Sequence, residues 1–474
     1  MSNSLTSTFV HNLKKSIHST IIFSLGAFLI LQTSCSTKHQ PTQIAVDTTQ
    51  NFSESGSQTI SEKWWTSFQD PTLNTLIDSA LASNFNLKSA WQRLQASRAV
   101  VDRESSSFFP TLDASAQTEI SKYQSEYIQN QSFRLGMETS YEVDLWGRIR
   151  AQVESERYRA KAALADYQTA AISLSAEITR TWFQLIEAQN QLELLTKQVE
   201  TNQKVLKLIE TRFGSGQIRS ADILRQRQLL ESTREQKIAA ESRVQIVEHQ
   251  LAVLLGESPQ KTKYPVHDSL PELPPRPETG IPSELIRRRP DLKSAFNRLQ
   301  SADREVAAAI SNQYPRFSIS ASASTSADNV EDLFKDWARS LAGSLLAPIF
   351  SGGRLRAEVD RTEAVKKQRL FEYIQAILNA FREVEDALVR EKNQEEKIQS
   401  IKKQVRLAEQ TYEQLRMQYF NGLGGYLDVL TALDELQQMR RNLLSARQNL
   451  LEERISLYRA IAGSFETREN MENK

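Results

Sequence analysis

Apolar residues recur at steps of three and four from Gly147 to Phe213, a stretch with no proline and no internal glycine. Leu164, Tyr167, Ala171, Leu174, Ile178, Trp182, Leu185, Ala188, Leu192, Leu195 and Val199 fall on one seam, the spacing of a helix that faces a partner helix. At about 1.5 Å of rise per residue, one helix over 147–213 would be about 100 Å long. Ordinary globular helices average about 11–12 residues, so this chain builds something elongated. A second run goes from Gly353 to Phe420, with Ile374, Ile377, Phe381, Val384 and Leu388 on one stripe.

Between these helical runs and the segments before them the period falls to two. After Pro110, Leu112, Ala114, Ala116, Thr118 and Ile120 alternate with Asp113, Ser115, Gln117, Glu119 and Ser121. A loop around 124–131 follows. Then Phe133, Leu135, Met137, Tyr141, Val143 and Leu145 alternate with Arg134, Glu138, Ser140, Glu142 and Asp144. The pattern predicts a hairpin over about 110–145 with strands long enough to cross a bilayer at a tilt. Phe317, Ile319, Ala321, Ala323 and Thr325 against five serines begin a second hairpin over about 315–350, whose return strand, Trp337 to Phe350, alternates less clearly.

The two sets are copies. Leu87-Lys88-Ser89-Ala90 returns as Leu292-Lys293-Ser294-Ala295, and Pro110 as Pro315, both at 292 − 87 = 205 positions. Gly147-Arg148 returns as Gly353-Arg354, Gly216 as Gly422 and Asp222 as Asp428, at 353 − 147 = 206. A near-constant offset over such distances marks one structural unit used twice. The expected organisation is a signal peptide over 1–34, a lead-in over 35–70 whose Ser/Thr/Gln-rich part is extended or poorly ordered, and a first repeat over 71–256. That repeat opens with helices near 71–83 and 87–107, and its long helices are 147–213 and 220–255. A linker over 257–284 holds seven of the 13 prolines. The second repeat spans 285–463, with long helices 353–420 and 426–462, and a charged tail covers 464–474.

Composition removes several function classes. The formal net charge of +1 becomes 1 − 2 = −1 once residues 1–34, with Lys14 and Lys15 and no acid, are set aside. No basic face is implied, so nucleic acid is not an expected partner. His11, His18, His39, His249, His267 and the single cysteine show no metal-ligand spacing, so neither metal nor cofactor is expected. No cluster offers an activated nucleophile or an acid/base pair, so no enzyme is expected. Gly214-Ser215-Gly216 lacks the preceding strand of a nucleotide-binding loop and reads as a helix-reversing turn. Lys14 and Lys15, the apolar run Ile21–Leu31 and then Cys35 have the layout of a secretory signal ending at a cysteine. That resembles a bacterial lipoprotein signal, with Cys35 as the lipid-bearing (palmitoylated) first mature residue, although Gln32 stands where that pattern prefers leucine.

Four strands with one apolar face cannot close a membrane sheet, and an open edge in lipid leaves backbone groups unsatisfied. Two chains would supply eight strands around a side-chain-filled interior, three would supply twelve around a wider lumen. Four segments carry a family resemblance: 281–292 (IPSELIRRRPDL), 141–148 (YEVDLWGR), 348–354 (PIFSGGR) and 251–256 (LAVLLG). Over about 62–463 the chain resembles the TolC/OprM-type outer-membrane factors, closest to their efflux lipoproteins. The resemblance implies a mainly α fold with a transmembrane β-barrel, a homotrimer whose twelve strands close one barrel in outer-membrane lipid, and a periplasmic helical tunnel. It also implies a periplasmic adaptor and an inner-membrane pump, of the RND type, as partners.

The expected function is a passive export duct for small molecules. A coiled-coil tether between envelope layers and a type I protein secretion duct are the alternatives. The turns 214–222 and 420–428 end the long helices farthest from the strands and are expected to form the periplasmic mouth. Asp222 and Asp428 stand at equivalent places there, each able to cap the returning helix or to pair with a basic group of a neighbour such as Arg219. Tyr426 is the next candidate. The acidic residue that often follows the second-copy glycine by two is Gly424 here.

Overall fold

The computed structural model describes residues 51–59, 61–122, 129–260, 264, 269–463 and 465, all within one unit of the chain, Asp47–Lys474. The signal 1–34, Cys35 and nearly all of the tail 464–474 lie outside the described residues. The elements are α1 (Pro71–Ser83), α2 (Phe85–Ser105), β1 (Thr111–Lys122), β2 (Gln129–Val143), α3 (Arg148–Gly214), α4 (Ser220–Leu254), α5 (Pro282–Arg288), α6 (Pro290–Ser311), β3 (Arg316–Ala327), β4 (Ala338–Leu346), α7 (Arg354–Phe420) and α8 (Tyr426–Ile461). A short 3-10 turn, Trp64–Phe68, precedes α1. No helix among the described residues is long and apolar enough to cross a membrane.

α3 and α7 are unbroken at 67 residues each and run the length of the helical layer. In the half next to the strands the neighbours run α2, α3, α6, α7; in the far half they run α4, α3, α8, α7. The shorter helices meet end to end at two polar joints. Asn84, the N-cap of α2, accepts from Leu87 N at 3.0 Å and donates Nδ2 to Leu254 O at 2.8 Å, filling an orphan carbonyl at the end of α4. Arg289, before α6, donates Nη1 to Ala460 O of α8 at 3.0 Å.

The main apolar core lies at this level. Trp64 stacks on Tyr458 at 5.4 Å, Phe68 meets Phe183 edge-on at 5.0 Å and Trp91 meets Tyr167 at 5.2 Å. Trp182 is fully buried and donates Nε1 to Asp70 Oδ2 at 2.7 Å, while Asp70 Oδ1 caps α1 through Thr72 N and Leu73 N.

Several expected boundaries move. The return strand runs Ala338–Leu346 rather than 337–350, because Pro348 has no N–H for the ladder. A short helix starts at Pro282, inside the expected linker, with proline in its tolerated first turn. The lead-in is held from residue 51 onward. Phe52 is buried against Phe381, Ser53 N donates to Glu385 Oε1 at 2.9 Å, and Gly56 N reaches Pro277 O at 3.0 Å. A Cβ on Gly56 would lie 1.9 Å from Arg276 O, so only glycine admits that approach. Phe465, within the expected tail, is buried against Trp65 at 5.0 Å.

A buried ion cluster fixes this strap and the linker to α7 and α8. Glu391 of α7 is 0 % exposed and accepts two hydrogen bonds from Arg454 of α8, at 2.7 and 2.9 Å, and one from Arg276 of the linker at 2.8 Å. Arg276 also meets Glu54, Lys392 Nζ meets Glu54 Oε1 at 2.8 Å, and Arg454 Nη1 donates to the carbonyls of Pro274 and Pro275. Burial alone would raise the Glu391 carboxyl, but the hydrogen bonds and charges of Arg454 and Arg276 outweigh it and hold it below its ordinary 4.5.

Candidate duct and its mouth

The four strands form one antiparallel sheet in the order β1-β2-β3-β4. Its register aligns faces across all of them. Ala114 pairs with Met137, Met137 with Ala323 and Ala323 with Arg339; Leu112, Thr139, Ala321 and Leu341 make the next row. The opposite face carries Asp113, Glu138, Ser322 and Ser340 in one row, and Gln117, Arg134 and Ser326 in another. One face is therefore apolar and the other is lined with serines and charges, the alternation of a membrane strand with a wet interior. The β2–β3 pairing joins the two repeats. β1 and β4 are left as open edges, with no partner among the described residues.

Each hairpin enters a long helix through a glycine with positive φ, Gly147 at 77° and Gly353 at 83°. At the first junction Asp144 caps α3, its two oxygens accepting from Ile149 N and Arg150 N at 3.0 Å each. Trp146 stacks on Tyr314 at 5.0 Å and donates Nε1 to Pro315 O at 2.8 Å, stitching one repeat to the other. The second junction has no side-chain cap, and Ile349 and Phe350 are 94 % and 91 % exposed.

At the far end the turns Ser215–Arg219 and Asn421–Gly425 lie at the ends of the two helix pairs. The equivalent aspartates differ in surroundings. Asp222 is 5 % exposed, and its Oδ2 accepts from Arg219 N at 3.4 Å in its own chain, while Arg225 Nη1 lies 3.6 Å from Oδ1. Asp428 is exposed. Arg219 thus serves the cap of α4 through its backbone, and its guanidinium approaches Asp222 only to 3.9 Å. Tyr426 is buried and donates its hydroxyl to Gln226 Oε1 at 2.5 Å, tying α8 to α4. Burial, then the neighbouring Tyr419, Tyr412 and Asp222, push its phenol well above 10. Arg212 of α3 covers the rings of Tyr419 and Phe420 of α7 at 4.9 and 5.4 Å.

Above the mouth the seam turns from apolar to amide. Asn202 Nδ2 donates to Thr233 Oγ1 at 2.9 Å, Gln437 Nε2 donates to Asn202 Oδ1 at 3.0 Å, and Gln226 Nε2 reaches Asn202 O at 3.0 Å. Gln198 Nε2 donates to Gln437 O at 3.1 Å, and Arg441 Nη1 to Gln198 Oε1 at 2.5 Å. None of these residues is among the expected mouth residues. The signal was available: stepping on from Leu195 by three and four lands on Gln198 and Asn202, polar residues at seam positions.

The comparisons with known proteins agree with this architecture. Residues 76–257 and 281–463 match the outer membrane efflux protein family. The chain belongs to that family. It is 28% identical over 418 residues to the pyoverdine export outer membrane protein OpmQ of Pseudomonas aeruginosa, covering 85% of this chain and 88% of OpmQ. It is 29% identical to the solvent efflux pump outer membrane protein SrpC of Pseudomonas putida, over 85% of this chain and 87% of SrpC. Its fold matches the open-state MtrE outer membrane channel of Neisseria gonorrhoeae with a TM-score of 0.80 at 25% identity, over 89% of this chain and 96% of MtrE. The family divides into two matched segments where this chain divides into two repeats, and the unmatched gap falls on the proline-rich linker.

Proposed function

We propose that this protein is the outer-membrane duct of a tripartite efflux pump, a passive exit whose energy comes from a partner. The observation that carries the reading is the single register giving all four strands one apolar and one serine-and-charge face, with an open edge on either side. Three copies edge to edge supply twelve strands, enough for a water-filled lumen. The helical layer, with α7 at one edge and α2 and α4 at the other, closes in the same operation into a tube continuous with the barrel. OpmQ is named for pyoverdine and SrpC for solvents, unlike cargoes on one architecture. A lumen face of serines and mixed charges fits a conduit that leaves choice of cargo to the pump.

In this reading a periplasmic adaptor and an inner-membrane pump, of the RND type, engage the mouth formed by the turns after α3 and α7. The Tyr426–Gln226 bond and the amide seam hold the repeats together there, and amides exchange protein partners for water at small net cost when helices part. Cys35 carries the lipid that adds a second hold on the outer membrane. Native mass spectrometry in detergent tests the assembly: a trimer is expected, and a monomer or dimer as the only assembled species would overturn it.

A further inference from the structure

At the start of β4 the apolar face of the sheet carries a cation. Along 111–120, 132–143, 316–327 and 338–346, Arg339 is the only charged residue on that face. It is exposed, and its guanidinium has no hydrogen bond or ion pair among the described residues. A cation facing hydrocarbon at mid-membrane is strongly unfavourable, and this cost nearly vanishes at the interface, so its level decides what surrounds it.

That level follows from the register. Arg339 pairs with Ala323, which is 323 − 314 = 9 residues beyond Tyr314, half of the Trp146–Tyr314 stack at the strand-to-helix junction. At about 3.4 Å per residue and a strand tilt of about 40°, Arg339 lies about 23 Å above that aromatic pair. The apolar band of an outer-membrane barrel is about 25 Å tall and is flanked by aromatic girdles. With the aromatic pair at the periplasmic boundary, Arg339 reaches the boundary of the outer leaflet.

The chain beyond β3 is built for the same plane. Thr325, on the apolar face, donates its hydroxyl to Leu333 O at 2.6 Å, and both residues are buried. The connection therefore folds back over the lipid side of β3. It presents Val330, Phe334 and Trp337 exposed beside the Asp332–Lys335 ion pair. Exposed aromatics with a cation on the lipid side of a barrel match an interface of acyl chains below and anionic headgroups above.

We propose that Arg339, with the aromatic connection 328–337 around it, is a binding point for a phosphorylated glycolipid headgroup of the outer leaflet, one per protomer. The proposal rests on the duct reading above, which sets the apolar face against lipid. The phosphate is met by the guanidinium, whose planar fork suits it. The acyl chains lie along the alanine and leucine rows beneath.

The test is native mass spectrometry of the purified full-length trimer with added bisphosphorylated lipid A or fully dephosphorylated lipid A. Wild type is expected to retain the phosphorylated lipid, up to three per trimer, over the dephosphorylated one, with a large excess of inorganic phosphate displacing little of it. Arg339→Gln should weaken retention by about fivefold, the effect of one basic residue at an anionic membrane surface, and Arg339→Lys should restore most of it. Equal retention of the two lipids by wild type overturns the proposal without recourse to any variant. So does equal retention by Arg339→Gln, or displacement by inorganic phosphate alone. Loss of the trimer itself in Arg339→Gln would reassign the residue to a subunit contact and also overturn it. Absence of a trimer in wild type would instead refute the duct reading.

Discussion

Removing the Glu391 carboxylate should release the linker and the N-terminal strap from the helical layer. In Glu391→Ala, the Arg454 guanidinium, 1 % exposed as a residue, loses both charge-assisted bonds and keeps only the Pro274 and Pro275 carbonyls. A buried charge left without its partner costs about 3–5 kcal/mol. If that cost falls on opening of the linker, the open fraction rises by about two to three and a half powers of ten, at about 1.4 kcal/mol per tenfold. Proteolysis reads the open fraction when closing is faster than cleavage. Cleavage by a glutamate-specific endopeptidase after Glu272 or Glu278 should therefore accelerate by about a hundredfold or more in the intact trimer. The double change Glu391→Met with Arg454→Met removes both charges and should be milder than either single change. The pH dependence has a definite sign. The native Glu391 carboxyl titrates below its ordinary 4.5, so its contribution is full above that value and is lost as pH falls through the lower native one. Protection should be equal at pH 7 and pH 5 and should fail only at pH values below the ordinary carboxyl value of 4.5. Unchanged cleavage in Glu391→Ala, or a double variant worse than the sum of the single ones, would refute the reasoning.

Three further outcomes follow from the same geometry. Ala116→Arg, five residues into β1 on the apolar face, should lower barrel assembly by about 2–4 kcal/mol, whereas Ser115→Arg on the serine face should assemble normally; equal damage, scored as heat-resistant trimer on gels, would reverse the assignment of faces. Tyr426→Phe leaves the Gln226 Oε1 acceptor without its donor, a loss of about 1–3 kcal/mol per protomer, and should make cells leakier to large antibiotics while the trimer stays intact; wild-type permeability would place the hold on the mouth elsewhere. Cys35 should be the modified N-terminal residue, and mass spectrometry of the mature chain decides it, with an unmodified cysteine or a different cleavage site as the contrary result.

What could be read from the sequence was what local periodicity encodes. The run after Gly147 has no helix breaker, and α3 begins at Arg148 and ends at Gly214, one residue from each expected end. The alternation of Leu112 to Ile120 against Asp113 to Glu119 set the two faces of β1 before any partner strand was known. What stayed hidden depends on partners far apart in the chain. Glu54, Arg276, Glu391 and Arg454 come from the strap, the linker, α7 and α8, and nothing in the flanking sequence of any one names the others. The repeat symmetry also misled in one place. Asp222 and Asp428 match in sequence, yet α8 lies between α3 and α7 while α4 lies at the edge of the layer. Tyr426 of α8 turns inward to Gln226, and the two aspartates end in different surroundings. Arg339 could have been found by asking which charge interrupts an apolar strand face, but β4 alternates too weakly to fix its register without β3 beside it.

Single-channel recording of the purified protein in planar bilayers tests the duct most directly. Discrete conductance steps are expected; Glu138→Lys alone should shift their selectivity toward anions and Arg134→Glu alone toward cations, each leaving the trimer intact. A trimer that inserts into the bilayer and passes no current, in wild type and in Tyr426→Phe alike, would contradict the duct.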